Sequence, residues 1–139
     1  MKTHFHKIIS MALLGLALYA QGTPAWAGQA HASTVSIFYK GTVPISAQGT
    51  LTGARYSPDS TQYIGCYSLS DPYGLNASVT CSATTRVGKS VSCYTQDGRF
   101  ANAIKGLTDS SYISFKIVGT AGNYLCTDME VINASHLLK

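Results

Sequence analysis

Short segments that alternate apolar and hydroxyl-bearing residues with a period of two constrain this chain more than any other feature. Such alternation describes strands with one wet face, because successive side chains of a strand point to opposite sides. The segments are 34–40 (TVSIFYK), 62–69 (QYIGCYSL), 77–85 (ASVTCSATT), 90–95 (SVSCYT), 112–118 (YISFKIV) and 124–132 (YLCTDMEVI). All are rich in β-branched and hydroxyl residues and bounded by Gly, Pro, Asn or Asp. A weaker strand is read within 43–51. Val79, Cys81 and Ala83 share one face, as do Ile113, Phe115 and Ile117, and these are candidate core. One stretch breaks the pattern: in 97–107, Asp97 can cap, Phe100, Ala103, Ile104 and Leu107 fall at helical spacing, and Gly106 can end the turn. The expectation is all-β, a small antiparallel sandwich or barrel of about six or seven strands with one short helix near residues 98–106.

The first 27 residues read as a signal peptide. Lys2 and Lys7 precede a 13-residue, largely apolar run at 8–20, and Ala25-Trp26-Ala27 supplies the small-x-small cleavage pattern. Ala30-His31-Ala32 offers a second site. The run is shorter than the roughly 18–20 residues that span a bilayer, and no cysteine near either site invites a lipid, so no membrane anchor is expected. The remaining 28–139 are expected to form a single disulfide-stapled domain, secreted or periplasmic. Only 12% of the chain is charged, against roughly 25% in ordinary soluble domains. Removing the signal takes the formal charge from +4 to +2. So small and scattered a balance gives no phosphate-binding surface, and no nucleic acid partner is expected.

Export makes disulfides the natural reading of the four cysteines. Arg86-Val87-Gly88 has the form of a three-residue hairpin loop, which places Thr85 opposite Lys89 and Cys81 opposite Cys93. Matching apolar faces places Cys66 opposite Cys81. Cys66 and Cys93 are then two strand spacings apart, too far to bridge. A tight turn at Asp71-Pro72-Tyr73-Gly74 would shift the first hairpin by one residue and spoil the Cys66/Cys81 alignment. The favoured pairing is therefore Cys81 with Cys93 and Cys66 with Cys126. Cys66 with Cys81 and Cys93 with Cys126 stays open as the second choice. The spacing of Gln62-Tyr63-Ile64-Gly65-Cys66, Cys81, Cys93, the 109–115 segment DSSYISF and Cys126 resembles small uncharacterised secreted bacterial β proteins with four cysteines. That resemblance covers about half the chain and implies a secreted, two-disulfide protein, with no function attached.

Catalytic constellations are thin. There is no CxxC pair and no Cys/His cluster, so neither a metal site nor a cofactor is expected. Once the signal is gone only His31 and His136 remain, near the chain ends, and no GxSxG elbow is present. Asp128 and Glu130 share a strand face without the surroundings of a sugar cleft, and Asp109-Ser110-Ser111 reads as a turn before it reads as a calcium ligand set. The tyrosines carry more. In the hairpin register Tyr67, Thr80 and Tyr94 form one row on the face opposite the cysteines, with Tyr63 beside them. They are either a bare contact face or core covered by a second layer. The expected function is a non-enzymatic binding or interaction module, with Tyr63, Tyr67 and Tyr94 as binding residues and a glycan or an extracellular or envelope protein as partner. The alternatives are an inhibitor or toxin-like effector that uses a loop such as 70–76 or 86–89, and a self-assembling envelope component that pairs through a strand edge.

Overall fold

A computed structural model describes residues 33–70 and 77–134. The expected signal peptide, His31, His136 and the expected turn at 71–74 lie outside the described residues. The strands are β1 (Ser36–Lys40), β2 (Val43–Thr50), β3 (Tyr63–Ser70), β4 (Ala77–Thr84), β5 (Ser90–Thr95), β6 (Tyr112–Thr120) and β7 (Asn123–Ile132). Two short helices accompany them, α1 (Leu51–Arg55) and α2 (Gly98–Ile104). The expected helix is α2, capped by Asp97, whose carboxylate accepts the Arg99 N–H at 2.9 Å while Phe100 turns into the core. Helix α1 is an addition: β2 ends where the Thr50 hydroxyl accepts the Gly53 N–H at 3.0 Å, and that cap turns Leu51 from strand into helix.

All seven strands form one sheet in the order β1-β2-β6-β7-β5-β4-β3. It is mixed, which corrects the antiparallel expectation. Every pairing is antiparallel except β5 with β7, and that parallel contact is a single register pair, Tyr94 opposite Leu125. The cause is the route of the chain. After β5 it crosses through α2 and runs out along β6, so the hairpin partner β7 returns in the direction of β5. Gly119 (φ +122°) and Gly122 (φ +87°) make that hairpin, and a Cβ on Gly119 would stand 2.3 Å from the Asn123 carbonyl oxygen. The sheet therefore consists of two antiparallel halves, β1-β2-β6-β7 and β5-β4-β3, joined along a narrow parallel seam.

The sheet is not closed. It curls so that β1 lies against β4 and β2 against β3, and its inward residues meet in one core. Val79, Cys81 and Ala83 of β4 and Ile113, Phe115 and Ile117 of β6 are buried there, as their alternation predicts. Where the two edges come near each other, the Val35 N–H is met by Gln62 Oε1 at 2.7 Å, a side-chain amide in the place of a strand partner. Gln62 is itself held by Asp59, whose carboxylate accepts the Thr61 and Gln62 N–H groups at 2.9 and 3.0 Å, Gln62 Nε2 at 2.7 Å and the Ser57 hydroxyl at 3.3 Å. Those bonds, the Thr61 N–H foremost, lower the Asp59 pKa to about 2. A carboxyl lowered on folding adds stability that is full above its unfolded pKa, near 4, and is lost as pH falls through its folded value. Acid titration of the fold is thus expected to show a falling limb between about pH 4 and pH 2. In Asp59→Asn that limb shrinks; an unchanged limb in thermal melts across this range would show that Asp59 does not carry it.

The disulfides are Cys66–Cys81 and Cys93–Cys126, which overturns the favoured pairing of Cys81 with Cys93 and Cys66 with Cys126. Ser70 lies directly opposite Ala77, so six residues connect the strands and the one-residue shift expected of a tight turn does not occur. Cys66, Cys81 and Cys93 do stand in one row, and Cys81 had two neighbours to choose from. Ladder parity decides between them. The Thr85 N–H donates to the Lys89 carbonyl at 2.8 Å, making 85/89 a hydrogen-bonded pair, and so 83/91 and 81/93 are hydrogen-bonded pairs too. The main chain of Cys81 therefore points to β5, and Cys66/Cys81 is the narrow, non-hydrogen-bonded pair in which side chains approach closest, with Cα atoms 4.0 Å apart. Cys93 is left to Cys126 across the parallel seam, at a Cα separation of 5.2 Å. Two disulfides favour an oxidising environment, extracellular or periplasmic. No helix among the described residues is long and apolar enough to cross a membrane.

Candidate functional site

The outward faces of β3, β4 and β5 are set by the same registers that align the cysteines, on the opposite side of the sheet. Tyr67 stands opposite Thr80 and Thr80 opposite Tyr94, the row read from the sequence. Among the described residues no second layer covers it: Tyr67 keeps 50% of its surface exposed and Tyr94 44%. The row then continues across the seam. Tyr94 pairs with Leu125 of β7, and Leu125 with Val118 of β6, exposed at 41% and 48%. The result is a line of four large apolar side chains and one threonine across five adjacent strands, Tyr67–Thr80–Tyr94–Leu125–Val118. Sequence reasoning missed Leu125 and Val118 because hairpin registers end at β5 and nothing local announces a parallel neighbour.

Local contacts hold the row in place. Tyr94 Oη donates to Asn123 Oδ1 at 3.3 Å, which leans the ring across the seam toward β7. Beside the row run hydroxyl pairs, Ser82 with Ser92 at 2.9 Å and Thr84 with Ser90 at 3.0 Å. Tyr63 is on the same face of β3 but outside the row, separated from Tyr67 by Gly65. Its phenol end lies over Gly65, where an added Cβ would be 2.8 Å from the hydroxyl oxygen. The ring thus covers a glycine that offers no side chain of its own. Tyr63 also lines a cleft of about 360 Å³ with Leu51, Ala54, Arg55 and Ile64, so it belongs to the α1/β3 corner as much as to the tyrosine face.

The charged residues gather elsewhere. On the β6/β7 part of the outer face, Lys116 Nζ sits 2.8 Å from Asp128, and this hydrogen bond and charge hold the Asp128 carboxyl below its ordinary range. Glu130 lies on the same face two residues along, opposite Ser114. Between α2 and β7 a cleft of about 180 Å³ is lined by Arg99, Phe100, Ala103, Thr127, Asp128 and Met129, smaller than the 300–1,000 Å³ usual for small-molecule sites. The Asp109-Ser110-Ser111 segment is a turn: the Ser111 N–H donates to the Thr108 carbonyl at 3.0 Å, and the Asp109 carbonyl accepts the Thr52 hydroxyl at 2.6 Å. Ser111 and Asn133 hydrogen-bond side chain to side chain, and Asn133 Nδ2 donates to the Gly106 carbonyl at 2.9 Å, pinning the end of β7 to the α2–β6 connection. Among the described residues no three His, Cys, Asp or Glu come together as a metal-ligand cluster.

No family model, no curated protein and no solved structure matches this chain. Its function is therefore argued from the geometry of this face.

Proposed function

We propose that this chain is an exported, non-enzymatic binding module, cleaved after Ala27, whose contact surface is the row Tyr67–Thr80–Tyr94–Leu125–Val118. The observation that carries the reading is the exposure of this row on the uncovered face of a curled, barrel-like sheet. Isolated exposed apolar residues are ordinary, whereas an aligned set across five strands is a patch of the kind that marks interaction sites. The face is open rather than concave, so it suits a polymer or a surface, a glycan or an envelope protein, in place of an enclosed small molecule. Tyrosine fits that task, because its ring stacks and its hydroxyl hydrogen-bonds at small entropic cost. In support of the non-enzymatic part, the Lys116 ion pair engages Asp128 and lowers its carboxyl, the opposite of what a general acid at neutral pH needs.

The test is retention of the oxidised chain on immobilised envelope glycans and, separately, on envelope proteins. Tyr94→Ala and Leu125→Ser are each expected to lower retention at least about tenfold, in the range of an interfacial anchor. Both residues keep about two fifths of their surface exposed, so melting temperatures should fall by no more than a few degrees. Retention that survives both changes, or a substrate turnover lost in Asp128→Ala, would overturn the reading. One observation favours a second reading, an inhibitor that presents the β4–β5 hairpin. Val87 at its tip is the most exposed large apolar side chain among the described residues, at 78%, and Lys89 stands over the Tyr39 ring at 5.4 Å. In that case Val87→Asp, and not Tyr94→Ala, would abolish contact with a single stoichiometric protein partner.

A further inference from the structure

We infer that β3 is a docking edge for a second copy of this chain, with the two strands running antiparallel about a two-fold axis at Ser68. The sheet has two edges, β1 and β3, and they differ in how they are guarded. β1 carries Lys40 and a bulge between Phe38 and Tyr39, both ordinary deterrents to strand addition. β3 (YIGCYSLS) has no charge, no proline and an unbroken eight-pair register with β4. It is long, regular and unguarded.

The parity that selects the Cys66–Cys81 bond also says what this edge offers. Because 66/81 is a narrow pair, the N–H and C=O of Cys66 point away from β4, and so do those of Ile64, Ser68 and Ser70. Among the described residues nothing bonds these groups. Helix α1 packs beside the start of the strand, which leaves 66–70 as the accessible stretch. Beyond Cys66 this stretch is exposed on both faces of the sheet.

A two-fold axis at Ser68 pairs Ser68 with its own copy and Cys66 with Ser70 of the second chain. All of these are outward-bonding residues, so each contributes both a donor and an acceptor to the new ladder. Tyr67 then faces Leu69 of the copy, and Leu69 faces its Tyr67, in narrow pairs where side chains lie closest. These are large exposed apolar side chains of the strand, at 50% and 61%, and one register covers both in both copies. The edge is thus self-complementary, which is what an isologous dimer requires. The two outer faces become continuous, so each dimer presents two copies of the Tyr94–Leu125–Val118 segment on one face, their β5 strands about 24 Å apart.

The proposal is tested by the mass of the oxidised chain in sedimentation or light scattering over a wide concentration range. The wild type is expected to rise from one chain to two. Ser68→Lys and Ser68→Glu each put two like charges directly opposite at the axis, and each alone should remain at the mass of one chain. Mixing the two should restore the two-chain mass as a mixed dimer. Ser68 is exposed and its main chain does not bond β4, so melting of the single chains should not change. The inference is overturned by a wild type that stays monomeric throughout, by dimers indifferent to these substitutions, or by a mixture that fails to pair. Tyr94→Ala leaves this edge untouched and the Ser68 variants leave Tyr94 and Leu125 untouched, so dimerisation and ligand retention fail independently.

Discussion

Removing the Cys93–Cys126 bond, as Cys93→Ala/Cys126→Ala, is expected to cost about 3.7 kcal/mol, the chain-entropy value for a loop with a sequence separation of 33. Cys66–Cys81, with a separation of 15, is worth about 3 kcal/mol on the same model. The sizes are close but the consequences differ. Cys66–Cys81 crosses an eight-pair antiparallel ladder that holds its strands together without it. Cys93–Cys126 crosses the seam, where the ladder supplies one register pair. Its loss leaves the two halves of the sheet joined by core packing, α2 and little main chain. Denaturant melts should show the drop in stability. Amide exchange should show the seam-facing amides of β5 and β7 losing protection ahead of the amides bonded within the β3/β4 and β6/β7 ladders. Uniform loss of protection across all seven strands would mean that the seam is no weaker than the rest.

The second large effect is at Phe115. It is 1% exposed, at the middle of β6, with Ala47 of β2 on one side in register and Met129 of β7 on the other. Phe115→Ala removes the largest fully buried side chain from the core of a small domain, at an expected cost of about 3–5 kcal/mol. Against a total of roughly 5–15 kcal/mol this brings the chain close to unfolding. Phe38, 46% exposed on β1, serves as the comparison, and Phe38→Ala should cost only about 1 kcal/mol, in keeping with its half burial. Urea melts of the two variants should separate them clearly. Equal losses would place the core elsewhere than on the inward face of β6.

Most of the sheet was legible because its strands alternate and its hairpins carry their registers in their loops. Gly88, at φ +78°, closes the 85–89 loop as its sequence suggests, and the tyrosine row and the cysteine row follow from it by counting. The disulfide pairing was within reach by the same counting. A hydrogen-bonded 85/89 pair already makes 81/93 the wide pair, whereas a tight turn at 71–74 would point the other way. The parallel seam was not legible. It arises from a chain excursion of about thirty residues, and long-range parallel pairing leaves no local pattern. Leu125 and Val118 were lost with it. Helix α1 was hidden for another reason: Thr52 and Gly53 are poor helix formers in a helix of only five residues, and the turn depends on the Thr50 cap. The Asp59–Gln62–Val35 chain of bonds joins groups 27 residues apart, so only the folded molecule shows it.

The central claim is that the uncovered tyrosine row, and not a cleft, makes contact with the partner. It is tested most directly by titrating the oxidised chain with envelope glycans and envelope proteins while following the ring resonances of Tyr67 and Tyr94 by NMR. The account predicts that these two rings, with the methyls of Leu125 and Val118, shift together and saturate at one ligand concentration. It further predicts that Tyr94→Ala, which leaves the β3 edge untouched, abolishes the response of the two methyl groups at that concentration while the melting temperature stays within a few degrees. Shifts confined to Arg99, Asp128 and Met129 around the α2/β7 cleft, with the tyrosine rings silent, would contradict it.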